Sequence, residues 1–307
     1  MNNTFRSFNP NSFNNPEKLP QSQEERDEWL KADREFWENN PMRYDWHDGI
    51  ERKEFTKEFY DEIDKRFFEN VKPFAPWKNI PFDDLIPFNE LRDKKVLEIG
   101  VGNGSHAQLL SQYCADYTGI DITDYAIKST STRLKINKLN GNILQMNAEE
   151  MKFENNSFDF IWSWGVIHHT ANTFNVLKEM NRVLKPGGKA VVMVYHRGWF
   201  NYYLVGFLFL GLLKGDIFKT KSLHKTVQNF CDGALARFYT PSSWEKFVSQ
   251  YFRVEKTFIN GNKAEILPIP ASGIKSKLLS IIPDSVSRFM TKNLRMGSFL
   301  ISRMNKK

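Results

Sequence analysis

The sequence predicts an α/β fold built on a doubly wound, mostly parallel sheet. From Lys95 onward, short apolar runs of strand composition alternate with segments of helical period, and this alternation is typical of parallel sheets with helices on both faces. Glycines cluster at residues 100–104, directly after the first run, where they let the backbone turn tightly at the carboxyl end of a strand. A chain of 307 residues is long enough for one large domain with additions.

The N-terminal third differs in composition from the rest. Residues 1–25 are rich in Asn, Ser, Pro and Gln, bury too little apolar surface to order alone, and are interpreted as a flexible arm. Residues 26–90 are predicted to form a helical N-terminal cap and connector, because aromatic rings recur at helical spacing and four prolines follow between Val71 and Asn89. Residues 91–307 form the main domain, with insertions at about 199–238 and 262–295.

Strands and helices of the main domain are predicted in order. The predicted strands are 95–99, 117–120, 143–146, 158–163 and 190–195, and the helices between them are 106–113, 125–140 and 173–184. After the fifth strand, the pattern predicts an apolar segment at 199–213, a helix at 242–251 opened by Thr240-Pro241, and two late strands at 253–259 and 297–303. A basic segment of helical period, 274–294, lies between the late strands.

Composition limits the location and the chemistry. Cys114 and Cys231 lie far apart without metal-ligand spacing, and the polar N-terminus has no signal-peptide pattern, so we expect no metal site and a cytoplasmic protein. The apolar run 199–213 is shorter than the roughly 20 residues that a spanning helix needs. It is therefore predicted to be a buried or interfacial helix.

Positive charge is concentrated in the C-terminal part. From Pro186 to the end there are 19 Lys and Arg against 6 Asp and Glu, whereas the preceding residues hold 24 against 30. A solvated basic face, an anionic substrate and an acidic membrane surface are all consistent with this distribution.

The glycine cluster and one carboxylate together indicate a nucleotide site. Residues Glu98 to Gly104 read Glu-Ile-Gly-Val-Gly-Asn-Gly, and such a loop brings the backbone and a helix N-terminus close to a ligand. Asp121 ends the next strand about 20 residues later, where its carboxylate can accept both hydroxyls of an adenosine ribose. A dinucleotide fingerprint would place the third glycine one residue later, so the spacing argues against a pyrophosphate.

Five motifs in order carry a family resemblance. They are Val96-Leu97-Glu98-Ile99-Gly100-Val101-Gly102-Asn103-Gly104, Gly119-Ile120-Asp121, Asn147-Ala148-Glu149, Ser157-Phe158-Asp159-Phe160-Ile161-Trp162-Ser163 and Arg182-Val183-Leu184-Lys185-Pro186-Gly187-Gly188. With these motifs the chain resembles the class I S-adenosylmethionine-dependent methyltransferases. The resemblance implies a Rossmann-like sheet of seven strands with a reversed last hairpin and a lid insertion after strand five.

The resemblance also implies a cofactor and its contacts. S-adenosyl-L-methionine would lie over the carboxyl ends of the strands, with Glu98 and the loop glycines near its methionine moiety, Asp121 at the ribose and Ile122 at the adenine face. The family usually has Asp at the place of Asn147, whose side-chain carbonyl can still accept the adenine amino hydrogen bond. The expected cofactor-binding residues are Glu98, Gly100, Gly102, Asn103, Gly104, Asp121, Ile122, Asn147, Ala148 and Trp164.

Three histidines are candidates for a general base. Residues just after strands four and five face the ligands in such sheets, and those positions include His168, His169 and His196. Histidine suits proton transfer because its ordinary pKa of about 6.5 lies near neutrality. The resemblance favours His168 over its neighbour, and a hydrogen-bonded packing role is the alternative for each of the three.

The function that these observations indicate is methylation of a small-molecule acceptor, most readily at oxygen. A nucleic-acid methyltransferase is the rival, but the chain reads Ser163-Trp164-Gly165-Val166 where base-methylating relatives carry Asn-Pro-Pro-Tyr. A membrane-associated quinone or lipid methyltransferase, with peripheral membrane contact, and a non-catalytic cofactor-binding module stay open. The acceptor and the oligomeric state are left open as well.

Overall fold

A computed structural model describes residues 18–45, 49–269 and 272–307. The predicted flexible arm therefore lies outside the described residues up to residue 17. Within the described ranges, none of the helices combines the length and the apolar character that crossing a bilayer requires.

One mixed sheet organises the main domain. Its strand order is β3-β2-β1-β4-β5-β8-β7, and the short β6 pairs with the end of β5. The first five strands pair in parallel, whereas β7 and β8 form an antiparallel hairpin against β5. The strands are β1 (Lys95–Ile99), β2 (Asp116–Asp121), β3 (Asn142–Gln145), β4 (Phe158–Trp164), β5 (Leu184–His196), β6 (Phe238–Tyr239), β7 (Phe252–Asn260) and β8 (Phe299–Lys306). This is the expected mostly parallel doubly wound sheet with a reversed last hairpin, plus one additional two-residue strand.

Helices cover both faces of the sheet. The α-helices are α1 (Gln23–Asn39), α2 (Lys57–Val71), α3 (Ser105–Tyr113), α4 (Asp124–Ile136), α5 (Thr173–Val183), α6 (Asp216–Thr220), α7 (Leu223–Gln228), α8 (Pro241–Val248), α9 (Gly273–Ile281) and α10 (Asp284–Arg288). On one face, α5 and α8 pack against the strands through Val176, Leu177 and Trp244. On the other face, α3, α4 and the end of α2 enclose a second apolar cluster. Because both faces are covered, the central strand β1 is buried from Val96 to Ile99.

The N-terminal helices are attached to the carboxyl edge of the sheet by ion pairs. On α1, Arg26 pairs with Glu149 at 2.8 Å and Arg34 pairs with Asp124 at 3.0 Å. On α2, the hydroxyl of Tyr60 donates to the backbone carbonyl of Ser129 over 2.7 Å. These contacts hold the two helices over the ends of β2 and β3 and over the loop after β1.

The C-terminal segments depart from the predicted regular helices. The apolar segment Trp199–Leu213 is a π-helix, a form that is rare at this length. The predicted helical segment 274–294 is divided at Pro283, which cannot donate a backbone hydrogen bond, into α9, α10 and a π-helical turn Phe289–Asn293. The predicted helix 125–140 already ends at Ile136, because Lys138 adopts a left-handed conformation with φ of 54°.

Candidate active site

The loop after β1 is shaped for close approach to a ligand. Gly100, Gly102 and Gly104 have φ angles of 80°, 51° and 81°, a region that L residues with side chains rarely adopt. A Cβ atom on Gly100 would lie 2.2 Å from a methyl carbon of Val166. Glycine is therefore required at position 100 by both conformation and space.

Asp121 at the end of β2 is tied to this loop. One carboxylate oxygen accepts a hydrogen bond from the Gly102 backbone N–H over 3.2 Å, and the other accepts two from Thr123, at 3.0 Å from the backbone N–H and 2.8 Å from the hydroxyl. Burial raises the pKa of Asp121, and the hydrogen bonds that it accepts partly offset that rise. The carboxylate is thereby fixed in orientation, with lone pairs left for the hydroxyls of a ribose.

The Asn147 side chain is already engaged by its own turn. Its Oδ1 accepts a hydrogen bond from the backbone N–H of Glu149 over 2.9 Å. Glu149 in turn accepts hydrogen bonds from the Asn172 backbone N–H at 2.7 Å and from Arg26 at 2.8 Å. The carbonyl that we expected to face the adenine amino group thus has a partner within the protein.

A carboxyl group from the cap enters the same region. Asp33 on α1 is only 4% exposed and lines the cavity, and its Oδ1 has no hydrogen-bond partner within the described parts of the chain. Burial raises the pKa of Asp33 well above its usual range, although a hydrogen bond from the Trp37 side chain opposes this, and the charges of Glu149 and Asp121 raise it further. Asp33 therefore lies near enough to Asp121 and Glu149 for their charges to act on its carboxyl group.

These groups line one large cavity of about 870 Å³. Its walls come from the glycine loop, the ends of β1, β2, β4 and β5, the N-terminal helices and the segment after α7. A volume in this range is typical of sites for organic ligands. Away from the glycine loop, the wall is mainly aromatic and apolar and includes Tyr44, Phe74, Trp164, Phe230, Phe238 and Phe299.

His169 lines this cavity, and one of its two ring nitrogens is hydrogen-bonded. Its Nδ1 lies 2.6 Å from the carbonyl oxygen of Leu235, and since a carbonyl only accepts, Nδ1 carries the proton. The other nitrogen, Nε2, is buried and has no hydrogen-bond partner among the described residues. Burial lowers the pKa of His169, while the charge of Asp232 opposes this. The ring is therefore neutral near pH 7, with its basic lone pair on Nε2.

The other two candidate histidines do not line the cavity. The fully buried His168 has its ring centre 4.0 Å from those of both His169 and Tyr195, and neither of its nitrogens has a hydrogen-bond partner in the described part of the chain. His196 donates from Nδ1 to the carbonyl of Gly297 over 2.7 Å and packs against Gly198. The structure thus brings His169, rather than the favoured His168, to the cavity wall.

Two further acidic groups lie in the wall opposite the glycine loop. Asp232 accepts a hydrogen bond from the Tyr195 hydroxyl, and both residues line the cavity. Glu265 accepts four hydrogen bonds, from the backbone N–H groups of Asn262 and Ser298 and from the side chains of Asn201 and Ser298. Burial raises the pKa of Glu265 to about 7, so its charge changes near neutrality.

Glu98 lies beneath the loop rather than in the cavity wall. Its Oε2 accepts a hydrogen bond from the Tyr117 hydroxyl over 2.6 Å, and its Oε1 lies 3.8 Å from Nδ1 of His106, a cavity residue. Burial raises the pKa of Glu98 to about 8. In this structure Glu98 supports the loop and His106 from behind.

Nine of the ten expected cofactor-binding residues line the cavity, Glu98 being the exception. Asp33, Asp232 and Glu265 were not singled out from the sequence. Asp33 offered only one signal in the sequence, an acidic residue among the apolar residues Leu30, Phe36 and Trp37. Within the described ranges, no group of three or more His, Cys, Asp and Glu side chains is arranged to hold a metal ion.

Fold and cavity together define an α/β protein with a ligand site at the carboxyl edge of its sheet. Comparison with known proteins makes the class specific. A family model described as a methyltransferase domain matches residues 97–192. Among solved structures, an S-adenosylmethionine-dependent methyltransferase from Methanosarcina mazei shares the fold, with a TM-score of 0.50 at 19% identity over 72% of this chain and 97% of that chain.

Sequence relatives include an uncharacterized protein and a methyltransferase. An uncharacterized protein of Methanocaldococcus jannaschii is 30% identical over 196 residues, which are 62% of this chain and 71% of that protein. Phosphoethanolamine N-methyltransferase 2 of Caenorhabditis elegans is 27% identical over 163 residues, which are 50% of this chain and 36% of that protein. The chain belongs to the class I S-adenosylmethionine-dependent methyltransferases, and S-adenosylmethionine is its methyl donor.

Proposed function

We propose that this methyltransferase transfers the methyl group to a hydroxyl oxygen of a small, largely apolar acceptor, with His169 as the general base. The observation that carries the proposal is that His169, which lines an aromatic cavity, has no hydrogen-bond partner for Nε2 among the described residues. A general base is useful for a hydroxyl acceptor, because a neutral alcohol is a weak nucleophile. The aromatic wall suits an acceptor that is apolar apart from that hydroxyl.

The residues present fit the adenosine cofactor. Gly100 leaves space that a Cβ would fill, and Asp121 is oriented for ribose hydroxyls. Because Asn147 Oδ1 already has an internal partner, Asp33 is the better placed hydrogen-bonding group for the adenine amino group or the ribose edge. We assign Asp33 to the cofactor site together with the nine residues that line the cavity.

His169 takes up the proton that the acceptor releases. When bound, the cofactor supplies an electrophilic methyl on a sulfonium, so that the new oxygen–carbon bond forms as the carbon–sulfur bond breaks and a neutral thioether remains. The hydroxyl proton passes to Nε2, while Nδ1–H stays hydrogen-bonded to Leu235. The resulting imidazolium is favoured by the negative charge of Asp232. Solvent then removes the proton and regenerates the neutral ring.

The acidic cavity wall also argues against a nucleic-acid acceptor. Asp232 lies in the cavity lining, where its negative charge would repel a phosphate backbone. A small neutral or cationic acceptor meets no such repulsion. A protein that binds the cofactor but does not catalyse methyl transfer would show no turnover with any acceptor.

The test is turnover by the His169→Ala variant. Release of S-adenosylhomocysteine is measured with a panel of phenols and long-chain alcohols, each beside its amine analogue. A general base contributes about 10² to 10⁴ in rate, so we expect a loss in that range for hydroxyl acceptors at neutral pH. The loss should shrink at high pH, where a phenol ionises without help.

The matched control is His168→Asn, which alters the adjacent histidine that does not line the cavity. Both variants should keep the thermal shift that S-adenosylhomocysteine produces, because neither is expected to touch the adenosine. If His169→Ala retains full turnover with phenols at neutral pH, positioning alone drives the reaction and the general-base role is wrong. If only the amine acceptors are methylated, oxygen is the wrong acceptor atom.

A further inference from the structure

The described residues expose large apolar side chains mainly in one C-terminal region. Of the sixteen exposed large apolar side chains, fourteen fall between residues 199 and 218 or between 274 and 294. We call these fourteen the apolar surface. They are Trp199, Tyr203, Phe207, Leu208, Phe209, Leu212, Leu213, Phe218, Ile274, Leu278, Ile281, Val286, Phe289 and Leu294.

The two segments adjoin each other in space. Their inward side chains share one apolar cluster. Leu204 of the π-helix, Leu279 of α9 and Ile282 all pack against its buried residues Phe200, Ile266 and Met296. The indole N–H of Trp199 also donates to the carbonyl of Leu294 over 2.8 Å. Because the inner sides are joined, the outer sides form neighbouring parts of one face.

Several side chains of the apolar surface are largely exposed to solvent. Leu213, Phe218, Ile274 and Ile281 are 70%, 72%, 72% and 74% exposed. The largest apolar patch on a typical monomer is about 300–600 Å², and larger ones mark sites of interaction with proteins or membranes. Exposure of apolar surface to water is unfavourable in free energy, and contact with a partner would remove that surface from water.

The charges around the apolar surface select the partner. Segments 199–225 and 273–295 together hold nine Lys and Arg against two Asp. Two copies of this chain facing each other here would bring like charges together, which opposes self-association. An anionic lipid surface instead attracts basic side chains, and exposed Trp, Phe and Leu insert at the boundary between headgroups and acyl chains.

We propose that the apolar surface docks the protein peripherally onto an anionic lipid bilayer. The outer sides of the π-helix and of α9 enter the interfacial layer, while the inner sides stay packed on the main domain. Lys221 and Lys277, both exposed, contact the anionic headgroups. This proposal goes beyond the methylation reaction and does not depend on the identity of the acceptor.

The experiment measures binding of the full chain to vesicles. Sedimentation is compared for vesicles of phosphatidylcholine alone and of phosphatidylcholine mixed with phosphatidylglycerol. We expect binding to the anionic vesicles that is at least tenfold tighter and that weakens as salt is raised. The double variant Leu213→Glu/Phe218→Glu should lose at least tenfold in affinity for anionic vesicles, and Lys221→Glu/Lys277→Glu should lose the preference for them.

Ile136→Glu is the matched control, because Ile136 is a large apolar side chain exposed outside the apolar surface. It should bind vesicles as the unaltered chain does. All variants are checked for folding by their thermal shift with S-adenosylhomocysteine. The proposal is overturned if neither vesicle type binds, or if Leu213→Glu/Phe218→Glu binds as well as Ile136→Glu. It is equally overturned if sedimentation velocity shows a dimer that this double variant dissociates while vesicle binding stays unchanged.

Discussion

Replacing Asp33 by leucine should stabilise the cofactor-free protein and weaken cofactor binding at the same time. Asp33 is buried, and its Oδ1 has no hydrogen-bond partner in the part of the chain that the structure describes. Leaving a buried polar atom unpaired costs about 1–3 kcal/mol, and leucine of similar shape removes that cost. For a chain of this size, such a gain in the free energy of unfolding raises Tm by roughly 2–5 °C.

The loss of affinity follows from the same side chain. If Asp33 hydrogen-bonds the adenosine, its removal costs about 1.5–3 kcal/mol, which is roughly a ten- to hundredfold weaker Kd. Calorimetric titration with S-adenosylhomocysteine measures this loss, and differential scanning of the free protein measures the change in Tm. Glu28→Leu is the control, because Glu28 is exposed on the same helix, and it should change neither quantity appreciably.

The pH dependence of stability gives a third readout. Burial raises the pKa of Asp33 in the folded state, so the folded protein keeps a proton that the unfolded chain has already released. Between the unfolded and the folded pKa, stability therefore falls as pH rises. Asp33→Leu should lack this contribution. A variant that is less stable than the parent and binds the cofactor with unchanged affinity would refute the reasoning.

Three more substitutions test the loop after β1 and its neighbours. Asp121→Ala should abolish most of the thermal shift caused by S-adenosylhomocysteine, which for the parent is about 2.7 kcal/mol of added stability at 100 times Kd. Gly100→Ala should lower Tm and cofactor affinity, because its Cβ would lie 2.2 Å from a methyl carbon of Val166 and its φ is 80°. The double variant Gly100→Ala/Val166→Ala should recover only part of the lost Tm, since the strained φ at residue 100 remains. Glu98→Gln should flatten the fall in stability from about pH 5 to pH 8 that a folded-state pKa of about 8 imposes, as measured by urea unfolding at each pH.

The sheet and the glycine loop could be predicted because their signals are local. The strand Lys95–Ile99 agrees with the prediction residue for residue, since a short apolar run ended by glycine has few other interpretations. The position of Asp121 could be predicted too, because a residue at the carboxyl end of a parallel strand lies at the ligand-binding edge of the sheet. The structure of the segments after residue 199 was harder to predict. The periodicity of a π-helix does not distinguish it from an α-helix, and a two-residue strand is too short to be distinguished from a loop.

The choice between His168 and His169 required the tertiary structure. If both residues stood on a helix, their side chains would point about 100° apart, and only one of them would face the cavity. In the structure α5 begins only at Thr173, and His169 belongs to a turn closed by a hydrogen bond from its N–H to the carbonyl of Val166 over 2.9 Å. Which ring faces the cavity is then decided by Leu235, 66 residues away, whose carbonyl holds Nδ1.

The sequence did not predict Asp33 as a site residue, because its environment also depends on tertiary contacts. Its position in the cavity lining makes α1 part of the site. The cap residue has no motif of its own, and its environment arises because Arg26 and Arg34 attach α1 to the ends of β2 and β3. The same attachment sets Trp37 edge-on to His169 at 5.1 Å between ring centres. One helix thus contacts both the region assigned to the cofactor and the residue assigned to proton transfer. A substitution that shifts α1 would displace Asp33 and also Trp37, whose ring packs against His169. Cofactor affinity and turnover should therefore change together when the ion pairs that attach α1 are removed.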